Sequence, residues 1–462
     1  MRNLTEGNIH KSFLSYSLPV ILSTVLSNSF GIINSSIAGL FLGARGIAAT
    51  GATADFFTVI NSIVWGYNMG FAVYVARVFA AGKYKHMKKV INTNFKFIFI
   101  IGAIFSSLSI IFNKQVLTFL KVDPEILGDA KIYFFIISLT MCISLSNSLL
   151  HNCVNAMGDT SFPLIFSLIS SIINVTGNIV SVVFLDMGVL GLGLSVLFSS
   201  SISFIAYVLK MRQYYKRLGV GKYKFKPRVI YVTKLFSYTL PVVCQQVSLY
   251  ITGLFMAPIK NGLGYMSVAV LSLTNRINDI NIMVYQASTK AGGQYIAQCV
   301  GAKKYHMIKK AVGVTLIHSC LIFLPLLIAI WCAPEFVCSI FIDVEEEAQI
   351  LYYVTIYIKY FMPFVLFSVV TSAYHSIARG LKSTGHLLAS SLVGAISRLV
   401  ISYFFVKWYG VIGMFIGTAA APLVEIIYVA VVYKTGFWLP KDIRPHVLNS
   451  KKSKSNEMVI NK

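Results

Sequence analysis

Residues 188–209 read GVLGLGLSVLFSSSISFIAYVL, a run of 22 residues without a charged side chain. About 20 apolar residues in a helix cross the roughly 30 Å hydrocarbon core of a bilayer. Similar runs recur along the 462-residue chain, which is 56% hydrophobic and only 12% charged. In lipid, helices and closed barrels alone satisfy every backbone hydrogen bond, and these continuous runs lack the alternation of barrel strands. The sequence therefore predicts an all-α polytopic membrane protein.

About twelve apolar runs are long enough to span, at roughly 13–41, 50–80, 90–112, 130–152, 162–185, 188–210, 234–257, 266–297, 310–333, 350–376, 387–407 and 411–433. They predict a cytoplasmic N-tail (1–12), a first six-helix lobe (13–210), a basic linker (211–233), a second six-helix lobe (234–433) and a basic cytoplasmic C-tail (434–462). Pro19 and Pro241 lie early in the first span of each lobe. Proline inside a helix removes a hydrogen bond, so we expect hinges there.

Positive residues concentrate in the loops on one predicted side of the membrane. The formal net charge is +24, and the clusters alternate with apolar runs instead of forming one stripe. This positive-inside pattern predicts a multi-pass protein with both termini in the cytoplasm, and it argues against nucleic-acid binding. The basic linker is expected to contact anionic membrane lipid. The opposite side carries few positive charges and an acidic run at 343–347.

Three short motifs of the first half recur in the second half in the same order. Two pairs are separated by 222 positions and the third by about 220: LPV at 18–20 and 240–242, GVLG at 188–191 and GVIG at 410–413, and YKHM at 84–87 and YHM at 305–307. Halves with an even number of spans have the same orientation, so this is a parallel repeat. Such folds place a cavity between two lobes and favour a transporter, with channels, receptors and membrane enzymes as alternatives.

The order and duplication of several stretches resemble the multidrug and toxic compound extrusion (MATE) family over nearly the whole chain. The matching segments are SLPVILSTVLSNSFGIINSSIAGLFLG at 17–43, MGDTSFPL at 157–164, AGGQYIAQCVGAKKYHMIKKA at 291–311 and ARGLKSTG at 378–385. The resemblance implies an antiporter of a bacterial plasma membrane that expels small amphipathic organic substrates. It implies proton or sodium as the coupling ion, with no other cofactor, and we expect a monomer.

The first span departs from the family pattern at one position. Family members commonly carry an aspartate late in this span, where this chain has Asn34. An amide holds no exchangeable proton near neutral pH and offers sodium no full charge. Proton coupling through the first span is therefore not expected, although Asn34 remains a candidate residue of the cavity.

Among the charged side chains inside the predicted spans, we single out Asp55, Asp279, Lys290, Arg398 and Glu425. Charges at membrane depth are costly, so each is a candidate for coupling or for substrate binding. Asp55 is the first choice for a coupling carboxylate, because it is the only acid well inside the spans of the first half. A solvated acid at the interface, or a partner of Arg45, is the alternative interpretation.

The other four residues have more than one interpretation. Lys290 lies among small residues in QASTKAGGQ, where its ammonium could bind an anionic substrate group or compete with a proton. Asp279 is expected to pair with Arg276, one helical turn earlier. Arg398 and Glu425 are expected to form a buried pair between neighbouring helices, or Glu425 exchanges protons instead. The isolated residues His318 and His375 form no metal motif and are expected to pack or to line a pore.

Two alternatives to a cation-coupled exporter remain. The first is a flippase of the same wider superfamily that moves lipid-linked precursors, which would have a cleft rich in arginine and lysine. The two cations and one acid at mid-depth in this chain do not decide between a flippase and an exporter. A membrane-embedded transferase would need clustered carboxylates or histidines, which the spans lack. The sequence also has no glycine-rich phosphate loop. We therefore expect a protein that is not an enzyme and that uses an ion gradient.

Overall fold

The structure, a computed structural model, describes residues 9–120, 122, 124–221, 230–341 and 347–448. Some side chains inside its helices also lie outside the described part, among them that of Asp55. The backbone divides into two compact units. The first unit runs from Pro19 to Thr239, and the second contains the chain from Leu240 onward together with the start of the first helix up to Leu18.

The first unit is built mainly from four long helices and the greater part of α1. α1 runs from Ile9 to Ala80 and covers two predicted spans, with a break at Gly43, where φ is 65°. The helices that follow are α2 (Tyr84–Ile111), α3 (Asn113–Phe119), α4 (Leu127–Ala156), α5 (Ser161–Ile179) with a π-helical turn at Val180–Phe184, α6 (Gly188–Arg217) and α7 (Ile230–Thr233).

The second unit repeats this arrangement with more irregular turns. Its helices are α8 (Phe236–Asn261), α9 (Tyr265–Gly301), α10 (Ile308–Cys332), α11 (Pro334–Ser339), α12 (Ala348–Ile356), α13 (Val365–Leu381), α14 (Thr384–Tyr409), α15 (Val411–Lys434) and α16 (Arg444–Leu448). A π-helical turn at Tyr357–Phe361 and a 3₁₀ turn at Met362–Phe364 join α12 to α13, and a further 3₁₀ turn at Tyr305–Met307 precedes α10.

Ten helical segments of the described chain are long and apolar enough to cross a membrane. The prediction of an all-α polytopic membrane protein is confirmed. The first and eighth predicted spans are not among the ten. The eighth nevertheless lies in α9, a single helix of 37 residues whose hydropathy is lowered by Arg276, Asp279 and Lys290.

The repeated sequence motifs have matching backbone conformations. Gly188 and Gly410 both have φ of 55°, and each stands where a helix begins. A positive φ is readily adopted only by glycine, which explains why this residue recurs. Lys83 (φ −83°, ψ 56°) and Lys304 (φ −84°, ψ 60°) cap their helices in one conformation. The sequence repeat is therefore also a repeat of local structure.

Glycines allow α14 and α15 to approach each other closely. A Cβ atom at Gly413 would lie 2.4 Å from the carbonyl carbon of Phe405, and one at Gly417 would lie 1.9 Å from Ser402 Oγ. No side chain fits at such distances, so the two helices pack backbone against backbone at this end. Further along α15, this close packing brings its polar residues against α14.

Candidate functional site

A cluster of asparagine side chains lies where the family aspartate was expected. Asn34, on α1, accepts a hydrogen bond of 2.6 Å through Oδ1 from Asn178 Nδ2 on α5. Asn178 Nδ2 also lies 3.4 Å from Asn174 Oδ1. All three side chains are buried. Within the described residues, Asn178 Oδ1 and Asn174 Nδ2 have no hydrogen-bond partner. The cluster is thus polar but neutral, with unused capacity for hydrogen bonding.

The second unit contains a buried carboxylate in contact with a histidine. Glu425 is 7% exposed, and its Oε1 lies 2.7 Å from His375 Nε2. Ser390 Oγ donates a 2.5 Å hydrogen bond to the same oxygen. Glu425 lies on α15, His375 on α13 and Ser390 on α14. Three helices therefore converge on this carboxylate.

A chain of hydrogen bonds extends from this carboxylate to a buried arginine. Arg379 Nη1 lies 3.3 Å from Gln245 Oε1, and Gln245 Nε2 lies 3.0 Å from His375 Nδ1. Since the arginine can only donate, the glutamine oxygen accepts and its amide group donates to Nδ1. The neutral imidazole then carries its hydrogen on Nε2 and donates it to Glu425. The partners thus assign the histidine tautomer.

The position of Gly394 makes room for the carboxylate. A Cβ atom at this glycine, on α14, would lie 2.8 Å from Glu425 Oε2. Any larger residue would displace that oxygen, so the helix surface is shaped to the glutamate side chain. The position of Glu425 Oε2 therefore requires a glycine at residue 394 of α14.

Lys290 and Arg379 are buried cations of the same unit. They are 6% and 7% exposed. Among the described residues, the Lys290 ammonium has no hydrogen-bond or ion-pair partner. Arg379 lies near enough to repel it electrostatically. α9 packs closely on α13 here, because Thr289 and Ser372 hydroxyls lie 2.9 Å apart. A buried lysine without a counter-ion is costly, so this region is suited to an anionic group.

The sequence predicts ion pairs between Arg398 and Glu425 and between Asp279 and Arg276. Neither pair is found in the described part of the chain. Glu425 is occupied by His375 and Ser390 instead of Arg398. Arg398 Nε is buried without a hydrogen-bond partner among the described residues. The expectation failed because the contacts of the carboxylate are made by α13 and by an earlier turn of α14, which depth along a span does not reveal.

The remaining acids are placed differently from expectation. Asp279 and Arg276 are both exposed in the isolated chain and form no ion pair within the described residues. Arg45 Nε donates to Asp129 Oδ2 at 2.7 Å. The side chain of Asp55 lies outside the described residues. Its coupling role therefore stays a prediction, as do the hinges at Pro19 and Pro241.

Sequence reasoning missed most partners of Glu425. The sequence suggests an isolated packing residue at His375 and a cytoplasmic basic cluster at Arg379, whereas both are joined to Gln245 inside the unit. One signal was available: His375 and Arg379 stand four residues apart, so they share a helix face. Two polar residues on one face of an apolar helix indicate a polar partner on the neighbouring helix.

The sequence matches the MatE family over residues 19–180 and 241–404. The chain belongs to the MatE family. The two matched segments begin 222 residues apart, the same offset as the repeated motifs. The resemblance to multidrug and toxic compound extrusion transporters is therefore confirmed, and the family membership makes this a protein of the multidrug efflux class.

Curated relatives of this MatE protein carry names of multidrug exporters. It is 21% identical over 361 residues to the multidrug export protein MepA of Staphylococcus haemolyticus, covering 78% of this chain and 79% of the relative. It is 21% identical over 445 residues to the probable multidrug resistance protein YpnP of Bacillus subtilis, covering 94% and 97%.

Solved structures share the fold at low sequence identity. An outward-facing multidrug resistance MATE transporter of the MOP superfamily superposes with a TM-score of 0.84 at 16% identity, covering 94% of this chain and 98% of that one. A MOP superfamily transporter from Pyrococcus furiosus, described as having a binding pocket of reverse polarity, gives a TM-score of 0.82 at 17% identity, with 93% and 97% covered. These likenesses concern the fold alone.

Proposed function

We propose that this protein is a secondary active exporter of small amphipathic organic molecules, driven by protons that bind at Glu425 and His375. Family membership and the names of its relatives support the export of organic compounds. The observation that carries the coupling proposal is the buried contact between Glu425 Oε1 and His375 Nε2. A carboxylate that shares its proton with an imidazole inside a membrane helix bundle is a typical element of a proton relay.

The ligands around Glu425 favour a proton over sodium. Hard cations such as sodium prefer several oxygen ligands. Here one of the two described partners of the carboxylate is an imidazole nitrogen, which suits a proton better than an alkali ion. The other partner, Ser390, donates its hydrogen to Glu425. We therefore infer that protonation of the pair, and not cation coordination, changes the charge of this unit.

The asparagine cluster of the first unit provides polar contacts and no group that exchanges protons. Asn34 is held by an amide hydrogen bond and has no proton to exchange. Its cluster offers neutral hydrogen-bonding groups to a substrate or to water. Coupling would then reside in the second unit, and Asp55 is the competing candidate in the first.

The parallel repeat supports alternating access as the mode of transport. Parallel repeats of this kind rock two halves around a central site. We propose that both termini lie in the cytoplasm of a bacterial plasma membrane and that one chain is the working unit. Protonation of Glu425 would bias the second unit toward one of its two conformations.

Lys290 and Arg379 would recognise an anionic group of the exported molecule. Their burial, with no carboxylate against the lysine among the described residues, leaves positive charge that a carboxylate, phosphate or sulfonate would neutralise. The Pyrococcus furiosus transporter, with its binding pocket of reverse polarity, supports the idea that pocket charge varies within this fold. The same two cations also favour a lipid-linked precursor as the second candidate substrate.

Everted membrane vesicles test the coupling proposal. Uptake of rhodamine 6G (cationic) and of carboxyfluorescein (anionic) would be measured while nigericin collapses the pH gradient or monensin collapses the sodium gradient. We expect nigericin to stop uptake and Glu425→Gln to abolish it, with Glu335→Gln, an exposed acid on α11, as the matched control. Uptake by Glu425→Gln that keeps its sensitivity to nigericin would reject the proposed site. Transbilayer movement of a labelled lipid-linked precursor without dye efflux would favour the flippase.

A further inference from the structure

The first unit contains a large cavity that the proposed transport mechanism does not use. It has a volume of about 980 Å³ and lies between α2, α4 and α6. Ligand pockets in proteins range from about 300 to 1,000 Å³, so this one can hold a large ligand. Six of its lining residues matter for what it binds: Lys88, Phe95, Val208, Met211, Arg212 and Lys216.

The lining of this cavity is positively charged at one end. It contains Lys88, Arg212 and Lys216 and no carboxylate among the described residues. The Lys88 ammonium is already solvated by the protein, because its Nζ donates to Val220 O at 2.8 Å and to Gly221 O at 3.0 Å. Arg212 and Lys216 stand one helical turn apart on α6, are exposed, and form no ion pair within the described part of the chain. The cavity mouth therefore attracts an anion.

The other end of the cavity is apolar. Along α2, Lys88 and Phe95 are separated by seven residues, or about 10 Å at 1.5 Å per residue. Along α6, Val208 and Met211 precede the two cations. The cations thus lie near the start of α2 and near the end of α6. The apolar side chains of both helices lie up to two turns further from these ends. This is the arrangement of a phospholipid, in which a charged head group is joined to acyl chains.

We propose that this cavity binds one anionic phospholipid of the cytoplasmic leaflet, with its phosphate against Arg212 and Lys216 and an acyl chain along Phe95, Val208 and Met211. The basic loops place this end of the unit on the cytoplasmic side, where anionic lipid is attracted. A soluble phosphate compound would satisfy the cations but leave the apolar wall in water. The site is independent of the proton site at Glu425.

Native mass spectrometry of the delipidated full-length protein, titrated with phosphatidylglycerol or phosphatidylcholine, tests the proposal. We expect one phosphatidylglycerol to bind preferentially. Arg212→Gln with Lys216→Gln should weaken its binding about 30-fold, whereas Lys309→Gln with Lys310→Gln, an equal charge change at the start of α10, should leave it unchanged. Val208→Trp, which fills the apolar end, should also remove the bound lipid. Ile205→Trp, at a position of the same helix that is 57% exposed, should not.

Three outcomes would overturn the proposal. Equal affinity for the two lipids would show that the cations do not select the head group. Equal losses in the α6 and α10 double variants would indicate a diffuse charge effect instead of a site. Displacement of phosphatidylglycerol by glycerol phosphate at equal concentration would show that the acyl chain is not bound. Unchanged binding of phosphatidylglycerol by Val208→Trp would show the same.

Discussion

His375 Nε2 lies 2.7 Å from Glu425 Oε1, across the contact between α13 and α15. A buried carboxylate in contact with an imidazole adds little stability, because the cost of desolvating the carboxylate offsets the attraction. Its presence in a membrane-embedded unit is therefore more easily explained by proton exchange than by stability. The hydrogen bond from Gln245 to His375 Nδ1 keeps the imidazole ready to donate to the carboxylate.

The pair is expected to behave as one functional group. Glu425→Gln and His375→Gln should each lower proton-driven efflux by about tenfold or more, and the double variant should lose little further, since residues that act together are not additive. Initial rates of dye efflux at matched protein levels measure this. Ser390→Ala removes one hydrogen bond, worth about 1 kcal/mol, and should retain gradient dependence. If the loss of efflux in the double variant equals the product of the two single losses, Glu425 and His375 act independently.

Gly394→Ala should impair transport by steric displacement of the carboxylate. Its Cβ atom would lie 2.8 Å from Glu425 Oε2. Gly385→Ala is the matched control, because it lies on the same helix and its Cβ would meet nothing within 4 Å. Alanine is favoured over glycine in helices by about 1 kcal/mol, so the control should be equally or more stable. Efflux and thermal unfolding of both variants measure the effect, and equal efflux would show that Glu425 has no fixed position.

Asn34→Ala should leave coupling intact. The variant removes the 2.6 Å hydrogen bond from Asn178 and leaves its Nδ2 with only the 3.4 Å contact to Asn174 Oδ1. Loss of a partner for a buried amide costs about 1–3 kcal/mol of stability. Efflux should fall with the amount of folded protein but should still stop when nigericin is added. Loss of the response to nigericin at normal protein levels would indicate that proton coupling depends on the first unit.

Lys290→Gln should change which substrates are exported. Neutralising the buried cation should weaken binding of carboxyfluorescein to purified protein by at least about tenfold, from the loss of a charge-assisted hydrogen bond of about 1.5–3 kcal/mol. Rhodamine 6G should bind as before or more tightly. Lys290→Arg keeps the charge and serves as the control. Parallel losses for both dyes would assign the lysine a structural role.

Lys382→Gly should stabilise the protein. Lys382 ends α13 in the left-handed region, with φ of 63° and ψ of 29°, which costs a residue with a side chain about 1 kcal/mol relative to glycine. The corresponding first-half motif has glycine, Gly158, with φ of 79°. A higher apparent unfolding temperature in detergent is expected for Lys382→Gly and no gain for Lys382→Ala. Equal shifts in both variants would attribute the effect to lost charge.

The sequence was sufficient for the fold because hydropathy and repeated motifs are local properties. The offset of 222 residues between Gly188 and Gly410 predicted a repeat, and their shared φ of 55° follows from the same local requirement. Span lengths likewise depend only on composition, although the charges of α9 lower its hydropathy below that of the other spans.

The candidate site was only partly predictable, because it depends on helix rotation. Glu425 is recognisable as a buried acid from its depth alone. Its partner is not, since His375 lies on a different helix and its contact with Glu425 is set by the packing of α13, α14 and α15. Arg398 was an equally reasonable partner by depth. Gly394, which admits the carboxylate, has no sequence signal beyond being a glycine in a helix.

Proton release on substrate addition shows whether Glu425 carries the exchanged proton. Purified protein in weakly buffered detergent solution would be mixed with saturating rhodamine 6G, which keeps its charge near neutral pH, while a pH-sensitive dye reports free protons. The proposed mechanism predicts that the wild type releases protons and that Glu425→Gln releases none while still binding the dye. Undiminished release from Glu425→Gln would contradict it.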